Sequence, residues 1–169
     1  MPRPMPRPMD DFIAELGAAM APGLDDAAAR AAAVLRPWLG RTDFLAGCDC
    51  TPRAETYARR LIHADPEGRF CVLSLVWTPG QSSPVHAHRA WCALGVHCGE
   101  LEESFFALAD GMPALRATEF RGPGACSHAP ADPAKIHRIA NTGFCQAVSV
   151  HVYGVGLAAV DTGVNRIYA

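Results

Sequence analysis

A chain of 169 residues, half of them hydrophobic and 19% charged, has the size and composition of one globular domain around one core. A formal charge of −2 with no block of Lys or Arg leaves no electrostatic footprint for nucleic acid or an anionic membrane. No apolar run approaches the roughly 18 residues that span a bilayer, so no membrane partner is expected either.

Met1-Pro2-Arg3-Pro4 recurs almost intact as Met5-Pro6-Arg7-Pro8, so 1–9 is expected to be a disordered tail. Phe12, Ile13, Leu16 and Met20 recur at three- to four-residue spacing and predict a helix over 10–20. The alanine-rich run 25–39, with Val34, Leu35 and Leu39, predicts a second, and Asp25 and Asp26 suit its N-terminus. A short third helix is expected over 53–61, making 10–62 mostly helical. After Gly68 the character changes: 69–77 is a β-branched and aromatic run, stopped by Thr78-Pro79-Gly80. Strand-like pieces follow at 92–98, 101–107, 114–120, 135–140 and 144–153, separated by turn signals such as Asp110-Gly111 and Asn141-Thr142-Gly143. Many short strands at this spacing predict a sandwich or barrel over 63–169, with a helical N-terminal cap. The expectation is a mainly β fold with 1–169 as a single domain.

The cysteines number seven, an odd count, and the N-terminus lacks the apolar stretch of an export signal. A cytoplasmic location fits this better than a disulfide framework does. Cys48-Asp49-Cys50 has neither the spacing nor the second pair of a zinc knuckle and reads as two ordinary thiols.

Chemistry-bearing residues fall in three clusters. His86-Ala87-His88, on a strand, would place two imidazoles on one face about 6.5 Å apart, so both can converge on one ion. Alone the pair is equally well two surface histidines. His137, followed by Asn141 four residues on, changes that balance. Ser149-Val150-His151-Val152-Tyr153 alternates, so Ser149, His151 and Tyr153 share one face of a strand. The bland alternative for it is an ordinary core strand. His63, His97 and His128 read as structural or surface residues.

Gly80…His86-x-His88 followed by His137-x-x-x-Asn141 resembles the paired motifs of the cupin superfamily, which implies a small antiparallel β-barrel of jelly-roll type. Most cupins place a Glu ligand four residues after the second His, where this chain has Cys92. Three neutral imidazoles resemble the ligand set of the thiol dioxygenase branch, which implies Fe(2+) rather than a site built on two histidines and a carboxylate. That branch also carries the Ser-x-His-x-Tyr relay and a Gly-[Lys/Arg]-Phe ahead of the core strand, here Gly68-Arg69-Phe70. The resemblance runs from about 57 to 153. It implies that His86, His88 and His137 hold the iron and that Tyr153 hydrogen-bonds bound oxygen or substrate. His151 would hold Tyr153, and Ser149 would orient His151.

Substrates of the branch carry a carboxylate, and Tyr57-Ala58-Arg59 matches the Tyr-x-Arg of cysteine dioxygenases, which gives Arg59 that role. Arg60 and Arg166 are the reserves. The 3-mercaptopropionate dioxygenases instead use an arginine nine residues beyond the relay tyrosine, where this chain has Thr162. Cys92 matches the cysteine that animal enzymes join to the relay tyrosine by a thioether, but with one residue fewer after the second His. A small buried thiol is an equal reading. The stretch 63–70, Trp91 and Tyr153-Gly154 resemble the bacterial mercaptopropionate branch. The resemblance thus implies an Fe(2+) enzyme that oxidises the thiol of cysteine to a sulfinic acid with dioxygen. The alternatives are another carboxylated thiol as substrate, a zinc or manganese cupin of other chemistry, and a non-catalytic metal-binding cupin.

Overall fold

The computed structural model describes residues 7–21 and 25–168. Two helices, α1 (Pro8–Ala19) and α2 (Ala27–Leu35), precede ten strands. These are β1 (Ala58–Ala64), β2 (Cys71–Trp77), β3 (His86–His88), β4 (Cys92–Cys98), β5 (Leu101–Ala109), β6 (Met112–Arg121), β7 (Cys126–Ala129), β8 (Ile136–Ala140), β9 (Ala147–Tyr153) and β10 (Asn165–Ile167). A short helix, α3 (Leu157–Gly163), joins β9 to β10.

The helix expected from residue 10 starts earlier. Pro8 occupies the first turn, where its missing N–H is no loss, and the Arg7 backbone N–H donates to the Asp10 carboxylate at 3.1 Å. Met9 is buried. The start of the helix therefore takes in residues 7–9 of the expected tail; residues 1–6 lie outside the described residues. The expected helix over 53–61 is replaced by strand β1, paired antiparallel with β2 from Ala58↔Val76 to Ala64↔Cys71. Ala, Arg and Leu favour helix by tenths of a kcal/mol per residue, which the ladder to β2, interrupted by a single irregularity between Leu61 and His63, outweighs. The barrel consequently begins at Ala58, five residues into the part expected to be helical.

Two five-stranded antiparallel sheets form, in the orders β1-β2-β9-β4-β7 and β10-β3-β8-β5-β6. The first sheet is covered on both faces. Val72 and Val76 of β2 and Val148, Val150 and Val152 of β9 pack in one cluster with Phe12, Leu16 and Leu35 of the helices. Leu73, Leu75 and Trp77 face the other way and pack with Leu101 and Ile139 of the second sheet. Burial on both faces explains why β2 reads as a continuous apolar run. It also explains the Ser-Val-His-Val-Tyr alternation of β9: the valines support the helices, and the polar residues face the barrel interior.

Between β1 and β2 the chain turns at Gly68, whose φ of +71° suits a residue without a Cβ. Arg69 then grips the buried Asp65 carboxylate through Nε and Nη2, each at 2.8 Å, and donates through Nη1 to the Gly17 carbonyl of α1 at 3.3 Å. Gly68-Arg69-Phe70 is thus the hinge that fastens the helical cap to the barrel. Among the described residues no helix is long and apolar enough to cross a membrane.

Candidate metal centre

The second sheet brings three imidazoles together. His86 and His88 share a face of β3, and the register pairs His86 with His137 of β8. One ring nitrogen from each lies within 4.8 Å of the other two, and all three residues are buried. The Nδ1 atoms are occupied: His86 Nδ1 lies 2.8 Å from the Pro84 carbonyl, His88 Nδ1 3.1 Å from Asn165 Oδ1, and His137 Nδ1 2.9 Å from Glu103 Oε1. Carbonyl and carboxylate oxygens only accept, so each Nδ1 carries the proton and each Nε2 presents a lone pair.

His88 Nε2 and His137 Nε2 stand 3.0 Å apart. Two lone pairs at that separation repel, whereas two nitrogens each about 2.1 Å from a shared ion and at right angles are about 3 Å apart. The donor set therefore fits a metal cation. Burial, helped by the neighbouring His137, holds His86 down to about 4 and His88 to about 2, which keeps their lone pairs free at neutral pH.

The first sheet supplies the relay that faces these imidazoles across the barrel. On β9, Ser149 Oγ lies 2.9 Å from His151 Nε2, and His151 Nδ1 lies 3.2 Å from the Tyr153 hydroxyl. Burial, with His137 and Arg59 nearby, lowers His151 to about 3, and burial raises Tyr153 well above its ordinary value. Arg59 of β1 opens onto the same cavity as His86, His137, His151 and Tyr153. Tyr57 lines it too, its ring stacked on Trp77 at 4.3 Å. Cys92 of β4 sits directly opposite Tyr153 in the β4–β9 register. Burial pushes its thiol up, with Glu103 adding to the effect.

Neither reserve arginine lines the cavity that Arg59 shares with the imidazoles, although Arg166 borders a separate cavity that reaches His88. Arg60 points the other way, to Asp49 at 3.3 Å and the Thr51 carbonyl. Arg166 lies over the Tyr168 ring at 5.2 Å. Thr162 is exposed on α3, its hydroxyl bonded to the Ala158 carbonyl. Asn141 ties the strand ends together: its Nδ2 donates to the Trp77 and Cys145 carbonyls and its Oδ1 accepts from Gly143 N. His97 packs against Phe44, His63 lies beside Phe70, and His128 is exposed.

Three residues at the site escape sequence reasoning. Glu103 of β5 accepts from His137 and is itself held by Arg121. Burial alone would raise its carboxyl, but the hydrogen bond from His137 and the Arg121 charge bring it below the ordinary value. Asn165 reaches His88 because β10 pairs with β3 through Asn165↔His88. Trp77 donates from Nε1 to Ser149 Oγ at 3.0 Å. No local spacing could reveal partners 34, 77 and 72 residues apart. A second cavity of about 430 Å³ also reaches His88 and His137, past Cys92, Leu94 and Phe105.

A double-stranded β-helix protein from Klebsiella pneumoniae superposes with a TM-score of 0.50 at 20% identity, covering 70% of this chain and 90% of that one. A protein from Thermus thermophilus gives a TM-score of 0.52 at 19% identity, over 69% and 98% of the two chains. A structure of oxalate oxidase gives 0.51 at 20% identity, over 66% and 57%. At these identities the likeness is one of fold, the double-stranded β-helix of the cupins. The family model for cysteine dioxygenase type I matches residues 52–162, from ahead of β1 into α3 and across every residue of the site except Asn165. The chain belongs to the cysteine dioxygenase type I family, within the thiol dioxygenases of the cupin superfamily.

Proposed function

We propose that this protein binds Fe(2+) on His86, His88 and His137 and converts free cysteine to cysteine sulfinic acid with dioxygen. The observation that carries the reading is an arginine without a carboxylate partner among the described residues, Arg59, opening onto one cavity with three buried imidazoles and Tyr153. Bound ferrous iron would supply the means of joining sulfur and dioxygen, so that both oxygen atoms end on sulfur and no external reductant is consumed.

The chain's own groups do the rest. Neutral imidazoles leave the ion its positive charge, which favours an anionic thiolate. Arg59 takes the carboxylate, a charge-assisted and planar match, and Tyr57, held by its stack on Trp77, flanks it. Tyr153 offers its hydroxyl to the ligand, His151 holds Tyr153 and Ser149 holds His151. The Cys92–Tyr153 register supports a thioether between them. Its formation, with dioxygen as oxidant, would remove two hydrogen atoms, a deficit that intact mass reads.

A second reading, 3-mercaptopropionate as substrate, is favoured by Trp91. Its indole lies where a Cβ on Gly154 would be, only 2.0 Å from Nε1, the glycine-bearing arrangement that resembles the bacterial branch. Both thiols carry the carboxylate for Arg59, and only cysteine carries an amine. Metal analysis, with oxygen uptake and sulfinate formation measured on both thiols, decides. The expected result is bound iron and a higher kcat/KM for cysteine. A clear preference for 3-mercaptopropionate overturns the substrate, and stoichiometric zinc with no oxygen uptake overturns the reaction.

A further inference from the structure

We propose that Trp77 is a positioning residue that sets the direction of the hydrogen-bond chain Trp77–Ser149–His151–Tyr153, so that the phenolic proton of Tyr153 points into the metal cavity. Trp77 is fully buried, and its indole N–H can only donate; its partner is Ser149 Oγ at 3.0 Å. Ser149, equally buried, has one further partner, His151 Nε2 at 2.9 Å, and His151 Nδ1 has the Tyr153 hydroxyl at 3.2 Å.

A neutral imidazole has one N–H, which leaves two arrangements. In one, Ser149 donates to Nε2, the proton of His151 is on Nδ1 and goes to the Tyr153 oxygen, and the Tyr153 proton is left to point away from His151. In the other, His151 donates from Nε2 to Ser149 and Tyr153 donates to Nδ1. Ser149 Oγ then receives both the indole and the imidazole, and its own proton faces no acceptor in a sealed position. A buried hydroxyl proton without an acceptor is penalised.

The first arrangement has no such penalty. Its free proton is that of Tyr153, which lines the cavity where a ligand or water can accept it, whereas Ser149 does not. The Tyr153 ring also lies beside His88, with centroids 5.6 Å apart. Tyr153 therefore accepts from His151 and, toward the cavity, is a fixed donor. The cavity is matched to a ligand with an electron-rich atom at that point: a thiolate, a carboxylate or a reduced oxygen. What this does for turnover rests on the thiol dioxygenase reading; the placement of the protons does not.

The test is the tautomer of His151, read from imidazole ¹⁵N shifts in the full-length chain loaded with diamagnetic zinc and assigned by the signals lost in His151→Asn. The Nδ1–H form is expected in the wild type. Trp77→Phe keeps an aromatic ring against Tyr57, removes the donor and leaves room beside Ser149 Oγ for a water that can accept its proton, so the Nε2–H form should become populated. In the iron-loaded protein, Tyr153→Phe should lower kcat on the order of tenfold when Trp77 is present, the size of one net hydrogen bond, and by much less in the Trp77→Phe background. An Nε2–H imidazole in the wild type overturns the proposal, and this reading stands even if Trp77→Phe does not fold. A tautomer unchanged by Trp77→Phe overturns the role of Trp77. Absence of thiol-dependent oxygen uptake with the Nδ1–H form intact would sink the proposed function and leave this inference standing.

Discussion

At the scale of single residues, the parts of the site that lie close in sequence are legible and the parts that support them are not. His86 with His88, and Ser149 with His151 and Tyr153, follow from strand alternation alone. Glu103 does not, because β5 reaches His137 only through the register Phe105↔His137 two residues further on. Its carboxylate fixes the His137 tautomer and is in turn fixed by Arg121. Groups that orient a ligating histidine in this way are worth ten- to a hundredfold in metal affinity, so Glu103→Gln should weaken iron binding by about that factor while leaving all three ligands in place. Competition against a chelator measures it, and an unchanged affinity would remove Glu103 from the site. Arg59 makes a different prediction, since it touches no ligand. Arg59→Gln should keep full iron and lose roughly 1.5–3 kcal/mol with cysteine, a ten- to hundredfold fall in kcat/KM. Cysteamine, which has no carboxylate, should lose little. Equal losses on both substrates would mean a displaced strand and not a lost contact.

At the scale of elements, the apolar strands of the barrel are legible, and the strands that only their partners define are not. β2 is readable as a continuous apolar run and β9 by its valines alternating with polar residues, each strand packing against two different cores. The expected helix at 53–61 fails for the opposite reason: Ala58-Arg59-Arg60-Leu61 has no strand signature, and only its partner β2 makes it one. The three residues of β10 carry no period at all; pairing with β3 defines them. The β1–β2 turn yields a prediction about stability. The Arg69 hydrogen bonds bring the buried Asp65 carboxyl down to about 2. The folded value lies below the unfolded one, near 3.9, so the unfolded chain binds the proton more readily and the pair stabilises the fold above that pH. The contribution, about 2 kcal/mol, is complete above about pH 5 and is lost as pH falls toward 2. Asp65→Asn should therefore lower the urea midpoint at pH 7, and the gap to the wild type should narrow as pH falls below about 5, over the range in which the fold survives. A deficit that persists undiminished in acid would assign the loss to packing rather than to charge.

For the whole molecule, the division of labour between the sheets decides how the protein responds to acid. All three candidate ligands stand on the second sheet, while Arg59, Trp77, Cys92 and the β9 relay stand on the first, so the site exists only when the two sheets close on each other. Closing them buries His86, His88 and His151 in their neutral forms, at about 4, 2 and 3. In the unfolded chain each returns to about 6.5. Between those values the unfolded state binds more protons than the folded state, so stability rises with pH there and falls as the pH drops from about 6.5 toward 4. Each histidine can contribute up to about 1.4 kcal/mol per pH unit to that slope. A metal bound only by the folded protein acts against the loss, adding about 2.7 kcal/mol when its concentration is a hundred times Kd. Urea unfolding of the metal-free protein at a series of pH values should show midpoints falling steeply below about pH 6.5, well before the Asp65 window is reached. The curve with metal should lie above it, and His151→Asn should make the slope shallower by one histidine's share. A metal-free midpoint that stays level from pH 6.5 to 4.5 would mean that these imidazoles are hydrated, and that the sheets do not seal the site in the absence of its ion.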